Sequence, residues 1–223
     1  MRKLFMTGLL VSSVLAVALS PSVALGKAEG LPQSSVTTKS EFHDAMRKLW
    51  EDHIIWTRQV IVDAFATGPG LPDLSFALTR LLANQDDIGN AIKPYYGDAA
   101  GNQLTALLHI HINTAGAILF DLKSGNTTAL NADIAAWYSN ANDIAVFLNS
   151  ANPNNWPLAE TQAMMKHHLD DTTAEVLARF QSRWADDIAA FDTVQGQILM
   201  MADFLSDGIV AQFPQDFNHG FSK

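Results

Sequence analysis

The 223-residue chain has no cysteine. That removes disulfides, thiolate metal sites, thiol nucleophiles, covalent c-type haem attachment and a lipid anchor on cysteine. Basic residues are scarce as well, with 14 Lys and Arg against 23 Asp and Glu and a formal charge of −9. No basic stripe survives that imbalance, which argues against nucleic acid or an anionic membrane surface as a partner. Strand signals are missing too: no window sustains period-two alternation with β-branched residues. There is no glycine-rich phosphate loop after a strand and no nucleophile elbow, and Gly68-Pro69-Gly70 reads as a turn. What chemistry exists must use His, Asp, Glu, Asn or the backbone.

The beginning of the chain has the build of a secretory signal peptide. Arg2 and Lys3 precede an apolar run from Leu4 to Leu19, and Pro21 leads into small-residue cleavage options at Ser22-Val23-Ala24 or Ala24-Leu25-Gly26. The expectation is an exported protein, periplasmic or extracellular, with residues 1–26 removed and no stable membrane insertion afterwards. Without Arg2 and Lys3, twelve basic residues face 23 acidic ones, a formal charge of −11. Residues 27–37 read as a flexible lead, 38–214 as one domain large enough for a hydrophobic core, and 215–223 as a tail.

Helical periodicity fills the domain. Thr38-Lys39-Ser40-Glu41 is a capping box, and behind it Phe42, Met46, Leu49, His53, Trp56 and Val60 recur at three- and four-residue steps. Pro72-Asp73 opens a second helix with Leu74, Leu78, Leu81, Gln85, Ile88 and Ile92 on one face, ending before Pro94. A third spans about Asp98 to Lys123, a fourth about Leu130 to Asn149, a fifth begins at Trp156-Pro157, and a sixth runs from Trp184 to Phe213. The reading is an all-α, antiparallel up-and-down bundle of about six helices, arranged as three helical hairpins. The echo of Asn84-x-x-Asp87-Ile88 in Asn140-x-x-Asp143-Ile144 suggests that the hairpin is a repeated unit.

Three histidines, His53, His111 and His168, stand on apolar stripes, each about thirteen residues ahead of a turn signal. Antiparallel hairpins bring such residues opposite partners a similar distance beyond the turn. His53 should approach Asn84 or Asp87, and His111 should approach Asn140 or Asp143. If the three helices are parallel, the imidazoles share one layer. With Asp87 or Asp143 completing or orienting the shell, that layer is a plausible site for a divalent transition metal: zinc, manganese, iron or copper. The competing reading is a set of core imidazoles hydrogen-bonded to Asp, Asn or carbonyl groups.

Neighbouring letters are less informative. Glu51 and Asp52 point to other faces than His53, and His109 points away from His111, because each helical residue turns the side chain by about 100°. His167 or His168 has helical spacing to Asp171. Arg58 is expected to pair with Asp87 or Asp63. Di-iron carboxylate bundles need E-x-x-H, and Trp50, Leu108 and Met165 occupy the position three before each histidine. Non-covalent haem on two histidines, or on one with Met164, Met165, Met200 or Met201, stays open.

The run Leu49-Trp50-Glu51-Asp52-His53-Ile54-Ile55-Trp56-Thr57-Arg58, Asn84-x-x-Asp87-x-Gly89-Asn90, Lys93-Pro94-x-Tyr96-Gly97, Asn140 and Gly208-Ile209-Val210-x-Gln212-Phe213-Pro214 together resemble a poorly characterised family of bacterial exported helical-bundle proteins. Its members carry uncertain automatic names such as acetylglutamate kinase or glycosyltransferase. Those names imply an α/β nucleotide fold that the helical periodicity here does not support. The resemblance implies a bundle and no particular reaction. Two functions stand as expectations: metal handling or metal-assisted chemistry through the histidines, and a non-catalytic bundle that binds a partner or a small ligand.

Overall fold

The computed structural model describes residues 38–68 and 70–217. The expected signal peptide, the 27–37 lead and most of the C-terminal tail lie outside them. Five helices are found: α1 (Lys39–Ala64), α2 (Leu74–Ser124), α3 (Thr127–Ala151), α4 (Leu158–Phe180) and α5 (Trp184–Gln212), followed by a short 3-10 turn at Pro214–Asp216. No strand occurs among the described residues. The chain is all-α.

The capping box forms as its letters require. Thr38 Oγ1 accepts from the Glu41 amide at 3.2 Å, and the Glu41 carboxylate accepts from the Thr38 amide at 2.8 Å. Two orphan donors of the first turn are thereby satisfied. Along α1 the buried face is Phe42, Met46, Trp50, His53, Ile54, Val60 and Ile61, so Trp50 takes the deep position expected of Leu49.

Among the described residues five helical spans are found where about six were expected. The expected second and third helices join because the chain stays helical through Pro94 and breaks only at Gly97, with φ 81° and ψ 166°. Proline removes one helix hydrogen bond, a loss that matters little three residues from the end of a rod. Gly97 then takes a conformation closed to L side chains. The two arms of α2 fold back on each other, placing His109 Nε2 2.9 Å from Asp86. Their backbones come so close at Gly89 and Gly101 that a Cβ on either would lie under 3 Å from the other's carbonyl oxygen.

Long-range polar pairs record how the rods lie. Arg47 meets Asp203 at 2.6 Å, Glu51 meets Gln195 at 2.9 Å, and Arg58 meets Asp187 at 2.9 Å. Numbers that rise along α1 therefore fall along the facing stretch of α5. Tyr138 with Asp170 and Asn142 with Gln162 do the same for α3 and α4. By length and composition α2 includes a stretch apolar enough to cross a membrane. Leu104, Leu108, Ile112 and Leu119 on it are spent on the core.

That core has two apolar clusters. One gathers Met46, Trp50, Leu108, Met165 and Ile198. The other gathers Val60, Ile61, Leu81, Ile112 and Val176. On α1, α2 and α4 the switch between clusters falls near His53, His111 and His168.

Candidate functional site: a histidine layer beside an apolar cavity

The three imidazoles are buried side by side. Their residues are 3 %, 3 % and 4 % exposed, and the ring centroids of His53 and His168 lie 5.8 Å apart, those of His111 and His168 6.3 Å. Indoles close the flanks, Trp50 against His53 at 5.8 Å and Trp137 against His111 at 5.3 Å. A common depth on three rods has become one layer.

Amides, rather than carboxylates, face it. Asn140 Nδ2 donates to the Leu107 carbonyl at 3.1 Å, which turns Oδ1 toward His111 Nδ1 at 3.0 Å. An oxygen can only accept, so Nδ1 carries the proton and Nε2 of the neutral ring keeps its lone pair. His53 lies beside Gln85 and His168 beside Gln197, each amide favouring the charged imidazole. Neither pair closes to full hydrogen-bond geometry: Nδ1 of both histidines and Oε1 of both glutamines are buried without a partner. Burial dominates the titration. It holds His53 well below the usual histidine range, with His168 and His111 adding to the effect, and it depresses His111 to about 3 and His168 to about 4. The layer is uncharged at neutral pH.

The two aspartates stand elsewhere. Asp87 is half-buried, 3.8 Å from Arg80, and burial pushes its carboxyl up. Asp143 is exposed on α3. Asn140, one turn earlier, occupies the place opposite His111. Asn84 turns to the Leu49 carbonyl at 3.0 Å. Among the described residues no group of three or more His, Asp or Glu side chains is arranged to hold a metal ion. The rings of His111 and His168 lie 26° from parallel, and those of His53 and His168 46°.

Arg58 corrects a further expectation. Its partners are Asp187, gripped by both guanidinium nitrogens, and Glu175 at 2.8 Å, while Arg179 approaches Asp187 at 3.4 Å. Both carboxylates are 1 % exposed, and burial raises the Glu175 carboxyl against the pull of Arg58. Glu51 and Asp52, on other faces than His53, make polar contacts between helices, Glu51 with Gln195 and Asp52 between Lys48 and Arg80. His167 pairs with Asp171 at 3.4 Å on the surface.

One constellation had no signal in the sequence. His43 Nδ1 lies 3.0 Å from Ser206 Oγ, and its Nε2 lies 3.2 Å from Asp207. The order of groups is that of a nucleophile triad, but the serine is spent. Its hydroxyl donates to the Ala202 carbonyl at 2.7 Å within α5. Mid-helix amides are committed to the helix, so no oxyanion donors face Oγ. The cluster ties α1 to α5.

Beyond the layer, toward the turns, lies a partly open apolar cavity of about 170 Å³, lined by the second cluster together with Ile118 and Trp137 of the first. The residue four after each histidine lines it: Thr57, Ala115 and Thr172. Thr57 and Thr172 donate their hydroxyl protons to the carbonyls of His53 and His168 at 2.8 Å, leaving oxygen lone pairs on the cavity side. Among the described residues no charged one lines the space. On the opposite side of the layer only about 20 Å³ is left among Met46, Trp50, Leu104 and Met165. Periodicity places residues on a face but says nothing of how completely facing side chains fill the gap between rods.

No family model, curated protein or solved structure matches this chain. The functional reading therefore rests on the site alone.

Proposed function

We propose that the bundle is a non-catalytic binding protein that takes a small, uncharged, apolar molecule into the cavity beside the histidine layer. The observation that carries this reading is the unequal filling of one core: about 170 Å³ on one side of the layer against about 20 Å³ on the other. Protein interiors are packed to crystal density, and an apolar space near 150 Å³ stays dry and accepts molecules of benzene size. The polar pairs across α1–α5 and α3–α4 support an antiparallel up-and-down course, in which a rigid frame holds the space open. Export, read from residues 1–26, places the binding step in the periplasm or outside the cell.

Thermal unfolding of the mature chain with benzene tests the reading. Saturating benzene should raise the midpoint, since a ligand at a hundred times its dissociation constant adds about 2.7 kcal/mol. NMR shifts should centre on Leu78, Ile112 and Val176. No shift in the midpoint and no perturbed resonances would sink the proposal.

A metal ion on His53, His111 and His168 is the second reading. It is favoured by the gathering of three neutral rings, two of which, His53 and His168, have a buried Nδ1 without a partner. The imidazoles would act without Asp143, which is exposed. Elemental analysis of protein purified without a histidine tag decides it. Stoichiometric zinc, manganese, iron or copper, lost in both His53→Ala and His111→Ala, supports this site; sub-stoichiometric metal in the native protein overturns it.

A further inference from the structure

We infer that the cavity is shaped for one linear hydrocarbon chain with an uncharged hydroxyl head, a reading that rests on the proposed binding function and names its ligand class. Its shape comes first. On the arm of α2 after Gly97 the lining runs from Ile112 to Leu122 and on α3 from Leu130 to Tyr138, with Leu78 and Leu81 of the first arm opposite. At a rise of 1.5 Å per residue these walls are about 15 Å and about 12 Å long. On α1 it spans only Thr57 to Ile61, about 6 Å of helix. A volume of about 170 Å³ drawn out along α2 and α3 is narrow, the section of a methylene chain rather than of a compact ring.

Polarity is graded along that length. Thr57, Thr172, Thr173 and Tyr138 cluster at the histidine end, while Leu119, Leu122 and Leu130 surround the end near the α2–α3 turn. The Thr57 and Thr172 hydroxyl protons are already given to backbone carbonyls. Their oxygens can accept one bond from an incoming O–H. No lysine, arginine or histidine lines the space to compensate a carboxylate, and no acid lines it to compensate an ammonium. A neutral head is matched by these acceptors, whereas a charged one finds no counter-charge in the lining.

Gly116 keeps the space open. It lines the cavity in the middle of the second arm of α2, and a Cβ built on it meets nothing within 4 Å. Gly89 and Gly101 are required by touching backbones; Gly116 is not. Glycine inside a helix lowers stability relative to alanine, so a side chain here should strengthen the rod while shortening the cavity.

Calorimetric titration of the mature chain with the linear alcohols from butanol to dodecanol, with octanoate, octylammonium and benzene alongside, tests the inference. Affinity should rise about fourfold per added methylene until the cavity is filled and then level off. Octanoate and octylammonium should bind at least a hundredfold more weakly than octanol. Gly116→Ala should shift the plateau to a shorter alcohol and Gly116→Leu should abolish octanol binding, both with an unfolding midpoint at or above that of the parent. Benzene binding without any dependence on alcohol length would overturn the chain inference and leave the binding proposal standing. No binding by any of these probes would overturn both, as would native-like octanol binding by a folded Gly116→Leu variant overturn the assigned position.

Discussion

His111 and Asn140 form a hydrogen-bonded pair across α2 and α3, 3.0 Å from Nδ1 to Oδ1, with the asparagine anchored in turn on the Leu107 carbonyl. The pair fixes which nitrogen carries the proton and so the polarity of the face that His111 shows its neighbours. Asn140→Leu removes the acceptor and leaves a buried ring N–H unpaired, a loss of about 1–3 kcal/mol. Replacing both partners, as His111→Phe with Asn140→Leu, should recover part of it because no orphan remains. Urea unfolding of the two single variants and the double variant measures the coupling. Strict additivity would show that the pair does not act as a unit.

Acid should weaken the fold before the carboxylates titrate. His111 and His168 are depressed to about 3 and about 4, and His53 lies well below 6.5, burial being the first cause in each. The unfolded chain binds protons on these groups near pH 6.5, whereas the folded chain resists. Their stabilisation is therefore complete above about pH 6.5 and is lost as pH falls toward 4 and 3. Each group contributes a slope of up to about 1.4 kcal/mol per pH unit. Glu175, Asp87, Asp63 and Asp121 have raised carboxyls and act in the opposite sense, so a variant without His53 and His168 is the reference for the interval from 6.5 to 5.5, just below the ordinary histidine pKa. Urea midpoints should fall steadily across it. A flat profile in the parent, or the same slope in a His53→Gln, His168→Gln variant, contradicts the assignment.

The histidine layer was legible because its signal is one of register. Spacings of 58 and 57 residues, counted against turns, bring His53, His111 and His168 to one depth once the rods pack. Hairpin geometry likewise named Asn140, although it left Asp143 as an alternative, since a difference of three residues is less than a turn. Gln85 could be read as a polar residue on an apolar stripe, but its partner could not. Arg58 meets Glu175 and Asp187 rather than the expected Asp87 or Asp63, because helical spacing locates a side chain on a face but not which of the facing rods a long arginine reaches. The merging of two helices through Pro94 reflects a weaker rule: proline marks a boundary, yet the actual break waits for the glycine that can reverse the chain. The cavity left no trace in the letters.

Gly97 offers a test of that reversal. Its φ of 81° and ψ of 166° are essentially closed to other residues, and a Cβ there would meet no atom within 4 Å. Any loss in Gly97→Ala is therefore backbone strain rather than a clash. The expected destabilisation is about 1–3 kcal/mol. Gly116→Ala, at a helical glycine with equally free surroundings, should instead stabilise by up to about 1 kcal/mol. Opposite signs for two uncrowded glycines in one helix would attribute the difference to dihedral angles alone. Equal signs in urea unfolding would refute it.

Arg58 should be the most sensitive charged residue of the bundle. It holds Glu175 and Asp187 together from α1, and both acids are almost fully buried. Taking the arginine away as Arg58→Met leaves two buried carboxylates facing each other with only Arg179 near Asp187. Breaking such a group typically costs about 3–5 kcal/mol. The loss should exceed that of Arg47→Met, whose partner Asp203 is a third exposed and whose ion pair is screened by water. Replacing the set with apolar residues, as Arg58→Met, Glu175→Leu, Asp187→Leu, removes the uncompensated charges and should return much of the stability. If the triple variant is no more stable than Arg58→Met, the penalty lies in lost packing around the guanidinium, where Phe191 sits 5.2 Å away, and not in stranded charge.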